Sequence, residues 1–470
     1  MVIKSHVIRL FAVVVVSSIL SFCGTTGRTD AWNQASAIVR GINKTAFPDL
    51  HFNILDYGAV PDEDTVTDAV NRAIKACSDA GGGIVDVPAF SFLTGPVRLM
   101  SNVNLHLEDG AVLRFSTNFE DYLPVVKSRW EGMDCYNYSP LIYAANEENI
   151  AITGRGILDG QADNSNWWPW KGRSEYGWQQ DVPNQMVSWG RPRLLHMMEE
   201  NVPVEDRVMG DGSYLRPPFI QLLECYTILI ENVKIKNSPF WLIHPVLSEH
   251  IIIRGITAES LGPNNDGCDP ESCKSMLIEN CFFNTGDDCI AIKSGRNEDG
   301  RRWDVPSENI VIRNCEMHDG HGGVTVGSEI SGGCRNVFVE DCTMHSTRLE
   351  RAIRIKTNSF RGGIIENLYA RNINIGEVDE AVLKINCAYD VKNNDSGSFP
   401  PLVQNIYLEK ITSQKSDYAL YFQGLESNDV IRNIQISNCH FDGVKEKYFI
   451  DFASLPVMNK VYINGKLVED

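Results

Sequence analysis

Positive charge is scarce in this chain of 470 residues. It has 43 Lys and Arg residues against 61 Asp and Glu residues, which gives a formal net charge of −18. Nucleic-acid phosphates are bound by basic surfaces, so this balance argues against a nucleic-acid partner. An anionic substrate remains compatible with the sequence, but it would need Lys and Arg side chains gathered at its binding site.

Long apolar segments are missing after the first two dozen residues, so no later stretch is expected to span a membrane. Two basic residues precede an apolar run over residues 10–22, which has the length of a signal-peptide core. We therefore expect residues 1–24 to be a signal peptide and the protein to be exported, either secreted or periplasmic. Cys23 leaves a lipid-anchored form open as the alternative, although Phe22 stands where a lipoprotein signal has a small residue.

Helical periodicity is rare in the chain, and its clearest instance lies near the start. We interpret residues 25–50 as a linker. Residues 64–80 then place Val66, Ala69 and Ile74 at helical spacing, and three glycines follow. This helix is expected to cover the open end of the fold.

From about residue 100 onward, a short pattern of alternating apolar residues recurs. Examples are Asn309-Ile-Val-Ile-Arg-Asn-Cys and Asn336-Val-Phe-Val-Glu-Asp-Cys, and successive apolar starts lie 23 to 38 residues apart. Irregular steps with one short strand in each repeat predict an all-β, single-stranded parallel β-helix over residues 51–470. The period-two alternation disfavours helical repeats, and propeller blades are longer, at about 40 residues or more.

Thirteen cysteines in an exported protein are compatible with a disulfide framework. Four of them take the same place in their repeats, where other repeats have Val or Ile: Cys281, Cys315, Cys342 and Cys439. Such a position is packed and faces inward, so we expect a ladder of free thiols there. Cys268 and Cys273 are the one local pair for which a bridge is considered.

Stacking of the repeats is expected to bring distant polar residues together. The segment 261–295 contains Asp266, Asp287 and Asp288 next to glycines, and each of them alone is typical of a turn. In a parallel coil, however, aligned residues lie directly above one another. The alignment of neighbouring repeats places Asp266 beside Asp288 and His321 beside Asp287.

Two cationic residues align with the same face of the coil. Arg354 falls in the column of Ala291, and Lys356 falls in the column of Lys293, with Gly327 between the two lysines as a flat floor. Three carboxylates, an imidazole and a basic pair suit glycoside hydrolysis, in which one carboxyl is the acid and others activate water. The basic pair would neutralise an acidic sugar. A solvated charged face is the alternative interpretation.

Four motifs in this order resemble the signatures of glycoside hydrolase family 28, the polygalacturonases. They are Asn264-Asn265-Asp266, Gly286-Asp287-Asp288, Gly320-His321-Gly322 and Arg354-Ile355-Lys356. The likeness extends over about residues 50 to 460, with Asn265 where the family commonly has Thr. It implies a right-handed parallel β-helix and hydrolysis of α-1,4-galacturonide bonds with inversion. A one-coil spacing of carboxylates is nearer to the separation typical of retention, so the resemblance and that general rule disagree.

The resemblance also implies a role for each site residue. Asp287 is the general acid, Asp266 and Asp288 activate the water, His321 tunes the acid, Arg354 and Lys356 hold the galacturonate carboxylate, and Tyr389 contacts the substrate. No metal and no other cofactor is implied. The expected partner is an acidic polysaccharide, pectin or oligogalacturonides, and the chain is expected to act as a monomer.

Three further features have weaker interpretations. The tryptophan-rich residues 166–171 are either a sugar-stacking platform or a loop packed over the β-helix. His244 is expected to be structural. The insertion at 296–307 would close one end of a cleft and thus favour attack at chain ends over internal cleavage.

Three other functions remain open on the same pattern. A hydrolase of rhamnogalacturonan or another pectic side chain would need the same carboxylates. A pectate lyase would use calcium and an Arg base and would give an unsaturated product. A β-helix that only binds polysaccharide would not depend on Asp287.

Overall fold

The computed structural model of the protein describes residues 26–62, 65–391, 397–426 and 429–468. The predicted signal peptide at 1–24 lies outside the described residues. Among the helices described, none combines the length and the apolar content needed to cross a bilayer. Most strands pair in parallel with the equivalent strand of the next coil, so the chain forms the parallel β-helix that the repeats predict.

Four α-helices interrupt the coils: α1 Thr26–Gly41, α2 Thr67–Asp79, α3 Arg191–Glu199 and α4 Asn297–Trp303. The first strands are β1 His51–Asn53, β2 Gly83–Val87, β3 Ser91–Thr94, β4 Val97–Arg98, β5 Val103–Leu107, β6 Val112–Phe115, β7 Val126–Trp130, β8 Met133–Asn137, β9 Ile142–Ala145, β10 Glu148–Gly154 and β11 Ile157–Asp159. The middle strands are β12 Ile220–Leu223, β13 Tyr226–Glu231, β14 Lys234–Lys236, β15 Ile243–Val246, β16 Glu249–Arg254, β17 Thr257–Ser260, β18 Lys274–Glu279, β19 Phe282–Thr285, β20 Ile290–Ile292, β21 Ser307–Arg313 and β22 Glu316–Met317. The last strands are β23 Val324–Val326, β24 Cys334–Glu340, β25 Thr343–Met344, β26 Arg351–Lys356, β27 Ile364–Glu377, β28 Ala381–Asn386, β29 Leu402–Gln423, β30 Ile431–Phe441, β31 Val444–Asp451, β32 Val457–Ile463 and β33 Lys466–Val468.

The strands stack into three faces. Strands β16, β18, β21 and β24 belong to the first face, and β17, β19, β22 and β25 belong to the second. The third face contains β4, β9, β12 and β15 in the first coils and β20, β23, β26 and β28 in later coils. Cys268 joins these two sets because it bridges Ile243 on one side and Ile290 on the other.

Asparagine begins many repeats because that position has a left-handed backbone. The φ angles of Asn309, Asn336 and Asn367 are 60°, 58° and 59°. Asn adopts this conformation more readily than most residues other than glycine. The side chains also form a ladder, in which Asn336 donates to Asn309 over 3.0 Å and Asn367 donates to Asn336 over 3.2 Å. The recurrent Asn thus fixes both the turn and the phase of successive coils.

The predicted cysteine ladder is present in the core. Cys281, Cys315 and Cys342 lie in one inward column, and each is at most 2% exposed. All twelve cysteines in the described part of the chain are free. The disulfide considered for Cys268 and Cys273 is therefore not formed, and both residues are packed as small apolar side chains.

Helix α2 covers the first coil, as the helical pattern at 64–80 indicates. Its buried face consists of Ala69, Val70, Ala73, Ile74 and Cys77. This face contacts β1 and β2, where it closes the apolar interior that the first coil would otherwise expose.

Residues 25–50, interpreted as a linker, instead contain helix α1. Ala31 and Ala35 are buried against an apolar column on the outside of the first face, formed by Ile252, Leu277, Val311 and Phe338. Trp32 also contacts Phe338 edge-on, with ring centroids 5.8 Å apart. The linker interpretation missed the helix because the need for a cover arises from residues more than two hundred positions away.

Candidate active site

The three carboxylates of the predicted site meet where the chain enters the third face. Asp266 and Asp288 occupy equivalent positions in adjacent coils, because Cys268 and Ile290, each two residues later, are bridged. Asp287 immediately precedes Asp288. One oxygen from each of the three carboxylates lies within 4.8 Å of the others. The structure therefore brings these three residues together in the register that the repeats predict.

His321 lies on the next coil and contacts Asp287. Its Nδ1 is 2.8 Å from Oδ1 of Asp287, and its backbone N–H donates to the carbonyl of Asp287 over 3.2 Å. The Asp287 carboxylate raises the pKa of His321 to about 9, although burial opposes the shift. The imidazole is therefore protonated in the free protein near neutral pH.

Asp288 accepts hydrogen bonds from three side chains of later coils. Lys356 Nζ donates to its Oδ2 over 2.6 Å, Arg354 Nη1 donates to its Oδ1 over 3.2 Å, and Thr325 Oγ1 donates to its Oδ1 over 2.9 Å. Thr325 stands between Ala291 and Arg354 in one column of the third face. Burial raises the pKa of Asp288, but the charges of Lys356 and Arg354 outweigh it and bring the pKa below its ordinary value.

Asp266 faces a second cation, Lys293, which lies beneath the site. Lys293 Nζ is 3.7 Å from Oδ2 of Asp266, 3.4 Å from Oδ1 of Asp269 and 3.4 Å from Oε2 of Glu329. Its charge also lies over the ring of Trp241, 4.4 Å from the centroid. Glu329 has a second cation in Arg296, 3.6 Å away, but Asp266 and Asp269 share Lys293, so their negative charge is not fully compensated.

The protonation pattern of the free site differs from the predicted one. Burial, followed by the charges of Asp287 and Asp269, raises the pKa of Asp266 well above its ordinary value. For Asp287, burial acts in the same direction, but His321, Lys356 and Arg354 together hold its pKa well below the usual range. The predicted acid, Asp287, is thus ionised in the free protein, because three cations from the next two coils surround it.

Tyr389, which the resemblance implies as a substrate contact, lies beside the basic pair. It follows β28 in a turn, and its ring centroid is 5.3 Å from Arg354 Cζ and 5.4 Å from Lys356 Nζ. The ring and Lys356 line the same cleft, which has a volume of about 290 Å³.

The insertion at 296–307 contributes Arg296 to the lining of this cleft. Arg296, at its start, donates through its backbone N–H to the carbonyl of Gly132 in the β7–β8 hairpin over 3.0 Å. Within α4, Asp299 accepts from Arg207 Nη1 over 2.6 Å, and both side chains are 1% exposed. The insertion, the hairpin and the loop before β12 are therefore fixed to one another.

The tryptophan-rich segment is a packed loop, not an exposed platform. Trp168 Nε1 donates to the carbonyl of Ser238 over 2.9 Å, and Trp167 is buried. The Trp167 and Trp170 rings meet edge-on with centroids 5.0 Å apart. Lys171, which ends this segment, lines the cleft.

His244 is fully buried on the third face and is not among the residues that line the cleft. Its Nδ1 is 2.9 Å from Gln221 Nε2, and its Nε2 is 2.9 Å from Oε2 of Glu271. Burial lowers the pKa of His244. These bonds to neighbouring strands agree with the structural role expected of it.

Several residues that line the cleft were not predicted to be site residues, namely Lys171, Arg191, Lys293, Arg296, Glu131 and Glu329. Lys293 had a usable signal, because it shares the column of Lys356. Asp269, which lies beneath the cleft, also had one, because it follows Asp266 within the same motif. Lys171, Arg191 and Glu131 lie in loops outside the repeat pattern, so alignment of coils does not place them.

Comparison with known proteins identifies relatives of this fold and site. A family model described as Glycosyl hydrolases family 28 matches residues 209–454. A protein named probable polygalacturonase from Vitis vinifera is 32% identical over 401 residues, which cover 82% of this chain and 73% of that protein. One named exo-poly-alpha-D-galacturonosidase from Dickeya chrysanthemi is 25% identical over 451 residues, covering 89% and 72%.

A solved structure gives a similar result. The hyperthermoactive exopolygalacturonase from Thermotoga maritima superimposes with a TM-score of 0.89 and 45% sequence identity. The match covers 93% of this chain and 97% of that chain.

Proposed function

Because this chain belongs to glycosyl hydrolases family 28, we propose that it hydrolyses the α-1,4-galacturonide bonds of polygalacturonate, acting from chain ends with inversion. The observation that carries the proposal is the meeting of Asp266, Asp287 and Asp288 within 4.8 Å, beside Arg354 and Lys356. Carboxyl groups supply the acid and the base of glycoside hydrolysis, and the cations suit a sugar carboxylate. The exo-acting relatives support attack at chain ends.

Substrate binding is expected to change the charge of Asp287. In the free enzyme, His321, Lys356 and Arg354 keep this carboxyl ionised, while burial raises the pKa of Asp266 and favours the proton there. A galacturonate carboxylate bound at Arg354 and Lys356 offsets their charge, which raises the pKa of Asp287. The proton then favours Asp287 over Asp266, because the two carboxyls interact and titrate together.

The reaction follows from that redistribution. Asp287 gives its proton to the glycosidic oxygen as the bond from that oxygen to the anomeric carbon breaks. A water attacks the anomeric carbon from the opposite side and loses a proton to Asp266 or Asp288. The products are a shortened chain with a new hydroxyl group and galacturonate with inverted anomeric configuration.

Inversion is proposed from the family resemblance, and the carboxylate spacing opposes it. The spacing of at most 4.8 Å is below the ~6.5–9.5 Å typical of inverting enzymes and nearer to the ~5–5.5 Å of retaining ones. Nearest oxygens underestimate the separation of two carboxyl groups, and binding of substrate and water will separate the ionised pair. Proton NMR of the first product formed decides this point, since inversion gives the β-anomer before mutarotation.

The experiment that tests the function is incubation of the purified protein with polygalacturonate and, separately, with rhamnogalacturonan. We expect monomeric galacturonate from polygalacturonate from the earliest times, and loss of release in Asp287→Asn. Early internal fragments would contradict action at chain ends. Release from rhamnogalacturonan alone would instead assign the protein to the alternative pectic substrate.

A lyase and a purely binding protein make different predictions in the same assay. A calcium-dependent lyase would give a product that absorbs in the ultraviolet and would stop on addition of chelator. The cluster fits calcium poorly, because Lys293, Arg354 and Lys356 lie 3.7, 3.2 and 2.6 Å from its carboxylate oxygens. A binding protein would be indifferent to Asp287→Asn.

We also propose that the chain is exported and acts as a monomer. Mass spectrometry of the mature protein would reveal removal of residues 1–24, and size-exclusion chromatography with light scattering would give the oligomeric state. Retention of the N-terminus or a dimeric mass would contradict the respective proposal.

A further inference from the structure

A second cationic group lies on the other side of the carboxylates from Arg354 and Lys356. Lys171 Nζ donates to Oδ1 of Asn264 over 2.6 Å, and Arg216 Nη2 donates to the same oxygen over 2.9 Å. Asn264 is two residues before Asp266. The neutral amide of Asn264 therefore accepts from both the ammonium of Lys171 and the guanidinium of Arg216, beside the site.

The charges of Lys171 and Arg216 lack a counter-ion. Among the described residues, no carboxylate oxygen lies within the 4.0 Å of an ion pair from either side chain. Arg216 is fully buried, and its other bonds go to neutral oxygens, the carbonyls of Pro239 and Pro263 at 3.0 and 2.7 Å and Oε1 of Gln185 at 3.4 Å. Burial lowers the pKa of Lys171 to about 8 and that of Arg216 to about 9.

Other cations of the cleft are paired. Arg191 and Arg296 are each 2.8 Å from Oε2 of Glu131, and Lys356 is 2.6 Å from Asp288. Lys171 is partly buried and Arg216 is fully buried. Two adjacent cations in such positions without a carboxylate partner are unfavourable, and each would gain from an anion. Lys171 lines the cleft, so its amine is the member of this pair that a ligand can reach.

The loop that carries Lys171 is built rigidly. Trp168 is bonded to the carbonyl of Ser238, and Trp170 packs edge-on against Tyr214 with centroids 5.4 Å apart. Gly262 permits this packing, because a Cβ there would lie 2.2 Å from Trp168 Cε2. The amine is thus presented by a fixed turn, as expected for a group that recognises one ligand position.

We propose that Lys171, held by Asn264 and supported by Arg216, binds the carboxylate of a second galacturonate, across the scissile bond from the residue held by Arg354 and Lys356. This inference rests on the proposed function. Neighbouring galacturonates carry one carboxylate each, and each carboxylate would meet one pair of cations, Arg354 with Lys356 or Lys171 with Arg216. The enzyme would thus require two ionised sugars around the bond that it breaks.

The test compares trigalacturonate with the same oligomer methyl-esterified at the single residue that contacts Lys171. The wild-type enzyme should show kcat/KM about tenfold lower or more for the ester, the ratio for ~1.4 kcal/mol. Lys171→Met should reduce kcat/KM for the ionised oligomer to the value for the ester and thereby remove the discrimination. Lys171→Arg should restore the difference in kcat/KM between the ionised oligomer and the ester. Lys75→Met, which removes a surface lysine of α2, is the matched control and should behave as wild type.

Two further measurements separate recognition from a structural role. Lys171→Met should melt at or above the temperature of the wild type, because it removes an uncompensated charge; a structural lysine would give a lower value. For the wild type, kcat/KM should fall as the pH rises above about 8, whereas Lys171→Arg should stay active. The groups that face the amine are Arg216 and Arg173, which lower its pKa, and Glu131 and Asp287, which raise it.

The outcomes distinguish this inference from the function on which it rests. If the wild type releases no galacturonate from any galacturonide, the proposed function is wrong. If it hydrolyses ionised and esterified oligomers with equal kcat/KM, or if Lys171→Met still discriminates between them, then the Lys171 site alone is wrong. The comparison of ionised and esterified oligomers uses only the wild-type enzyme, so it tests the site even if Lys171→Met does not fold.

Discussion

His321 and Asp287 lie on adjacent coils of the β-helix, with Nδ1 of the imidazole 2.8 Å from Oδ1 of the carboxylate. The charge of Asp287 raises the pKa of His321 from 6.5 to about 9. A histidine whose pKa is raised on folding stabilises the native state below the unfolded pKa, and this contribution is lost as the pH rises through the folded pKa. The pair should therefore stabilise the fold at pH 6 and cease to do so above about pH 9.

The measurement is the free energy of unfolding in denaturant as a function of pH. We expect His321→Gln to destabilise the protein at acidic pH and to have a smaller effect above about pH 9. His318→Gln is the control, because His318 is on the same coil and pairs with the exposed Glu316. Parallel pH curves for the wild type and His321→Gln would show that the pair does not act in this way.

Lys356 should set the lower pH limit of activity through Asp288. The carboxylate of Asp288 accepts from Lys356 Nζ over 2.6 Å, and this charge lowers its pKa against the effect of burial. In Lys356→Met, the pKa of Asp288 should rise, so the acidic limb of the kcat/KM profile should move to higher pH. An acidic limb that stays in place would exclude Asp288 as the group that must be ionised.

Lys293 should contribute mainly to stability. Its side chain is 2% exposed, and its amine faces Asp266, Asp269 and Glu329 at 3.4 to 3.7 Å. Lys293→Met leaves three buried carboxyls with less compensation, and breaking a buried pair in this way costs about 3–5 kcal/mol. Denaturant unfolding should detect this loss, whereas Lys75→Met at an exposed pair should cost less than about 1 kcal/mol. A similar small loss in both variants would contradict the inferred role.

The sequence was sufficient to predict which residues of the repeats become neighbours. The two repeats that contain Asp287 and His321 align without a gap, and the period-two strands fix which side chains point outward. Because parallel coils stack in register, that alignment is equivalent to a three-dimensional placement. The column that leads from Lys293 through Gly327 to Lys356 was predicted for the same reason and is confirmed.

The features that the sequence did not reveal depend on residues outside the repeats or on the combined charge of several residues. Helix α1 covers an apolar column whose members are spread over four coils, so its own sequence carries little signal. Lys171 lies in a loop with no counterpart in other coils. The ionised state of Asp287 depends on His321, Arg354 and Lys356 together, whereas the predicted acid role came from the family resemblance and did not weigh these charges.

The geometry of the site requires that residue 327 be a glycine. Its φ is 101°, and a Cβ there would lie 1.9 Å from the carbonyl oxygen of Lys356. Gly327→Ala must therefore displace the β26 backbone and with it the amine that neutralises Asp288. We expect it to lower both kcat/KM and the melting temperature.

Gly465→Ala is the control that separates backbone strain from the clash with Lys356. Gly465 also has a positive φ, 73°, but a Cβ there would meet nothing within 4 Å. It should lose some stability through backbone strain and keep full activity. If Gly327→Ala retains wild-type activity, the position of Lys356 is not what the reaction requires.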